Sequence, residues 1–164
     1  MRNCQGILLT LLFLTLSLAS IAQEPPPRPL VVTPTPQGLV FGAFTQGASG
    51  GTVTVNSGSL RSSTGDVILL GLGIAPLAAE YQLVGNPGTV VSILNGPDAS
   101  LSGSGGGSMI LHLGATSPLS PFVITTIPPA FTLLYIGGTL TVGSPAANPP
   151  GNYSGTFDVT FIQE

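Results

Sequence analysis

No stretch of this chain keeps an apolar period of 3.6 residues over ten positions, while residues 153–161 hold a period of two without a break. Tyr153, Gly155, Phe157, Val159 and Phe161 are apolar or glycine, and Ser154, Thr156, Asp158 and Thr160 between them are polar. A period of two puts alternate side chains on opposite faces of a pleated strand. The segment therefore predicts a strand over Tyr153–Ile162, with Tyr153, Phe157, Val159 and Phe161 as its core-facing residues. With Phe157 and Phe161 facing the core, Phe157→Ala should cost about 3–5 kcal/mol. The strand ends the chain, so it must pair with strands already made, closing the fold beside an early one.

Similar runs fill the rest of the sequence. Strands are expected near residues 39–44, 52–56, 67–72, 80–84, 90–94, 108–113, 121–126, 131–135 and 139–142. Turn residues separate them: "SGG" at 49–51, "STGD" at 63–66, "GNPG" at 85–88, "NGPD" at 95–98, "SGSGGGS" at 102–108, "GG" at 137–138 and "NPPGN" at 148–152. Val53 and Val55 oppose Thr52 and Thr54, Tyr81 and Leu83 oppose Gln82 and Val84, and Ile110 and His112 oppose Met109, Leu111 and Leu113. "VILLGL" at 67–72 is apolar on both faces, which suits a strand covered on both sides or a subunit contact. Roughly eight to ten short strands without a helix predict an all-β sandwich of two antiparallel sheets, one domain over residues 38–164.

Residues 1–22 read as a cleaved signal peptide. Arg2 precedes an apolar core at 7–19, and the small residues Ser20 and Ala22 place the cut between Ala22 and Gln23. The protein is therefore expected to be exported, to the periplasm, the outer surface or the medium, and to carry no membrane span. The only cysteine, Cys4, leaves with the signal, so no disulfide is expected. Residues 23–37 hold a run of prolines and read as an extended leader, within which "LVV" could form a short edge strand. Such a leader should make few contacts.

Charge excludes whole classes of partner. The chain has no lysine, and after Ala22 only Arg28 and Arg61 face six carboxylates. A nucleic-acid binder needs several basic contacts to phosphate, so none is expected here. The glycine-rich 102–108 lacks the lysine and following helix of a phosphate loop and reads as a hairpin turn. His112 is the single histidine and belongs on a solvent-facing strand position. A hydrolase would need it within reach of a carboxylate in a cleft. No ligand set for a metal and no cofactor motif is legible, so neither catalytic residues nor cofactors are assigned. A sugar-binding module would favour exposed aromatics, but there is no tryptophan, and Tyr81, Tyr135 and Tyr153 fall on apolar faces.

The segments "LVFGAFTQGASGGTVTVNSGSLRSSTGDVILLG", "AEYQLVGNPGTVVSI", "GGTLTVG" and "PPGNYSGTFDVTF" occur in the order seen in a bacterial secreted family catalogued as a domain of unknown function, numbered 4402. The chain resembles that family over residues 38–162. The family in turn resembles Mat/Ecp-type fimbrial subunits and spore-coat-U-like proteins. This likeness implies an immunoglobulin-like, pilin-like sandwich, no enzymatic activity, and surface or fimbrial proteins as partners. Chaperone–usher pilins borrow a missing strand from a neighbour's N-terminal extension. Gly151 matches their glycine fourteen residues from the end, whereas Gln163 stands where they carry a penultimate aromatic. Pro34 and Pro36 interrupt the leader, so a monomer is expected unless the chain behaves as a pilin.

Overall fold

The computed structural model describes residues 28–164, so the segment 1–22 expected to be a signal peptide, with Ala22 and Gln23 at its cut, lies outside the described residues. The described chain forms eleven strands and no helix: β1 (Val31–Pro34), β2 (Phe44–Val55), β3 (Arg61–Leu69), β4 (Ala79–Val84), β5 (Val90–Asn95), β6 (Ala99–Gly103), β7 (Ser108–Ser117), β8 (Phe122–Val123), β9 (Thr132–Val142), β10 (Tyr153–Ser154) and β11 (Val159–Gln163). The larger sheet runs β1-β4-β9-β7-β6-β10, with the β2–β3 hairpin attached through β2 to β9; the smaller runs β11-β5-β8. Every pairing is antiparallel.

β9 is the spine of the larger sheet. Its first half pairs with β4 and its second with β2, while β7 follows both halves along the opposite edge. Leu134, Ile136, Leu140 and Val142 point inward from it and are buried. They meet Val53, Val55, Leu83, Leu111 and Leu113 of the same sheet, Val91 and Phe122 of the smaller one, and Ile124, in one core.

Three expected turns are not turns. Gly137 and Gly138 sit inside continuous β9, and their place there is steric. A Cβ on Gly138 would stand 2.8 Å from a methyl of Leu39 and 2.9 Å from one of Leu111, so only glycine lets those side chains close over the strand. Residues 49–51 and 63–66 form a bend within the β2–β3 hairpin, where the register shifts between Gln46 and Gly51. Gly50 (φ 65°) and Gly65 (φ 69°) adopt left-handed conformations that let both strands bend together. The turn at 102–108 is a true hairpin turn between β6 and β7. β6 itself, "ASLSG", carries too few apolar residues to have been expected.

The C-terminal strand divides. Tyr153 and Ser154 pair with β6, and Val159–Gln163 pair with β5 in the other sheet. The crossing needs Gly155, because a Cβ there would lie 2.6 Å from the Ser100 carbonyl oxygen. The leader also makes more contacts than its prolines suggest. Val31–Pro34 pair with Val84–Tyr81, and Leu30 and Val32 pack on the core. Thr35 N–H donates to Glu80 O, so Val31 and Thr33 bond to β4 while Pro34, which has no N–H, faces outward. The proline stands where no donor is used, and it blunts this edge of the sheet.

Candidate functional site

Two features gather beside the C-terminal segment: a cavity of mixed apolar and amide lining and a strand edge that is unpaired among the described residues. The cavity encloses about 460 Å³. Its floor is Leu101, Met109 and Leu140 from β6, β7 and β9; one wall is the segment 39–46 and the other is 148–153. Tyr153, assigned from sequence to the core, lines it and donates its hydroxyl to Pro149 O at 2.8 Å. No imidazole, carboxylate or cation is among the lining residues.

Asn148 and Arg61 hold these walls, and sequence reading assigned neither a role. Asn148 is 2 % exposed. Its side-chain amide donates to Ser108 O at 2.6 Å and accepts from Gly143 N–H, while its main-chain carbonyl accepts from the Gln46 amide at 2.7 Å. The loop 143–152 is thereby fastened to both sheet and facing wall. Among the described residues Arg61 has no carboxylate partner. Its guanidinium donates to Phe41 O at 2.9 Å and to Ala43 O and Leu70 O at 3.0 Å, tying three carbonyls of the wall and of the segment after β3. The signal that could have found it is its rarity: it opens β3, and after Arg28 the sequence holds no other lysine or arginine.

The free edge belongs to β11. Glu164 N–H donates to Val90 O, and Gly96 N–H donates to Asp158 O. Antiparallel alternation then makes Thr160 and Ile162 the residues that exchange bonds with β5. Val159, Phe161 and Gln163 turn their backbone groups the other way, toward no partner strand among the described residues. Phe157, Val159 and Phe161 pack on the core as expected from sequence but are only half-buried. Phe161 meets the ring of Tyr81 at 5.3 Å between centroids. The Gln163 side chain accepts from Leu30 N–H and donates to Arg28 O, clasping the start of β1 to the end of β11.

Other expectations fall as follows. His112 and Ile110 do face solvent, opposite buried Met109, Leu111 and Leu113. The His112 ring nitrogen Nδ1 meets Asp98 at 2.7 Å, but both side chains are exposed, 73 % and 55 %, so the pair stands on the open sheet and not in a cleft. Tyr135 is not on the apolar face: it lies between buried Leu134 and Ile136 and points outward opposite Glu80. Both faces of "LLYIGG" are apolar enough to hide that phase. The strand expected at 67–72 stops at Leu69, and Ile68 and Leu72 are exposed, not covered. Among the described residues no three metal-ligating side chains cluster, and no helix is long and apolar enough to cross a membrane.

Burial holds the Tyr81 phenol above its ordinary pKa of 10.0. Tyr135 is raised too, first by desolvation and then by a hydrogen bond to Glu80 and its negative charge. A raised folded-state pKa gives stability that is complete below the unfolded value and lost as pH rises through the folded one. The melting temperature should therefore stay level up to about pH 10 and fall above it, and Tyr81→Phe should soften the fall. An alkaline fall unchanged in Tyr81→Phe would contradict the packing of Tyr81.

A family model, domain of unknown function DUF4402, matches residues 30–162. The chain belongs to this family. Neither a curated protein nor a solved structure matches it significantly.

Proposed function

We propose that the protein is an exported, non-enzymatic structural or cell-surface protein of a Gram-negative bacterium. The observation that supports this reading best is the chemistry of the cavity, lined by apolar side chains, glycines, amides and the hydroxyls of Thr45 and Tyr153, with no imidazole, carboxylate or cation beside them. The one close imidazole–carboxylate pair is exposed to solvent, and neither of its residues lines the cavity. Fractionation of a Gram-negative host making the full chain should find the protein outside the cytoplasm, with a mass that begins at Gln23. Exported protein retaining residues 1–22, or an esterase or glycosidase turnover abolished by His112→Ala, would overturn the reading.

A second reading, a fimbrial or pilin-like subunit assembled by strand donation, is favoured by the unpaired edge of β11 beside half-buried Phe157, Val159 and Phe161. The chain's own leader is a poor donor, because Val31–Pro34 are engaged with β4. Deleting residues 23–36 would remove β1 and therefore cost stability, contrary to the small effect a contact-free leader implies. Light scattering on residues 23–164 should give a monomer under the first reading. Heat-resistant oligomers would instead support the second.

A further inference from the structure

The outward face of the larger sheet is a lattice of hydroxyls. Register sets Thr64, Thr52 and Thr141 side by side across β3, β2 and β9, and the row continues through Ile110 to Ser100. A second row, two residues along each strand, runs Ser62, Thr54, Thr139 and His112. Neighbours in a row are about 4.8 Å apart by strand spacing, and the rows about 6.8 Å apart by the two-residue repeat. The intervening residues Val53, Leu140 and Leu111 are buried, which fixes both rows on the outer face.

Thr52 and Thr64 share a hydrogen bond of 2.7 Å between their hydroxyls, and Thr54 and Thr139 one of 2.9 Å. Each such pair spends one donor and one lone pair on itself and leaves a second donor and further lone pairs for an outside partner. Ser62, Thr64, Ser100, Thr141 and His112 are exposed. The rows hold no carboxylate, lysine or arginine, and the His112 ring meets Asp98 at the rim.

Charge and polarity restrict what such a face can hold. A charged partner would give up hydration and meet no opposite charge across the lattice. An apolar partner would leave the hydroxyls unpaired at a cost of about 1–3 kcal/mol for each one buried. A neutral partner with regularly spaced hydroxyls of its own avoids both penalties. We propose that this face binds an uncharged polysaccharide. The polymer lies across the strands, because a pyranose unit in an extended chain is about as long as the strand spacing. The threonine methyls and the side chain of Ile110, 43 % exposed, meet the C–H faces of the sugar rings. No aromatic ring stacks in these rows, so each contact is weak and affinity comes from their number. The ligand is therefore a polymer surface and not a free sugar. None of this depends on the cavity or on the edge of β11.

Co-sedimentation of residues 23–164 with microcrystalline cellulose and with starch granules tests it, with alginate as the acidic comparison. The protein should pellet with at least one neutral polymer, resist elution by salt, and ignore free glucose. Thr54→Val with Thr139→Val keeps shape and strand propensity while deleting two hydroxyls, and should lower the bound fraction about tenfold. Thr141→Lys, at an exposed position, should weaken binding at least as much without changing the melting temperature. Binding to alginate alone, failure to pellet with either neutral polymer, or neutral-polymer binding untouched by both changes would overturn the proposal.

Discussion

Leu134→Ala should lower unfolding free energy by about 3 kcal/mol, and Phe157→Ala by about half that. The order runs against side-chain size and follows burial. Leu134 is fully buried in β9 opposite Tyr81, so truncation removes transfer energy and leaves a cavity among close-packed neighbours. Phe157 packs on the core from the crossing between β10 and β11, but it is only partly buried. The value of about 3–5 kcal/mol expected from its sequence position assumed full burial. Denaturant midpoints at constant slope would measure both. A Phe157→Ala loss equal to that of Leu134→Ala would mean that the C-terminal segment is covered more completely than described.

Arg61→Ala should cost about 3 kcal/mol, far more than a surface substitution. It leaves the carbonyls of Phe41, Ala43 and Leu70 without their shared donor. Water reaches the site in part, which keeps the loss below the sum of three charge-assisted bonds. Arg61→Lys should recover only a minor share, since one ammonium group cannot span three acceptors as the planar fork does. An Arg61→Ala midpoint within error of the parent would show that the wall of the cavity stands without it.

Strand phase was legible wherever the two faces differ in polarity. Val53 and Val55 against Thr52 and Thr54, and Met109, Leu111 and Leu113 against Ile110 and His112, went where alternation put them. Alternation failed where both faces are apolar, so the outward turn of Tyr135 was hidden. Glycine misled most. Local chemistry gives the same letter for a left-handed bend at Gly65, a steric gap at Gly138 and a layer crossing at Gly155. Which of these applies is set by Leu39, Leu111 and Ser100, residues distant in sequence. The cavity was illegible for a related reason, because segments 39–46 and 148–153 are brought together only by the sheet beneath them.

The free edge of β11 can be read amide by amide. Hydrogen exchange followed by NMR, at a concentration where light scattering gives a monomer, should find Thr160 and Ile162 protected by β5. Val159, Phe161 and Gln163 should exchange faster by orders of magnitude, since their amides face no strand. Equal protection along all five residues would contradict an open edge and would mean that another segment already covers it.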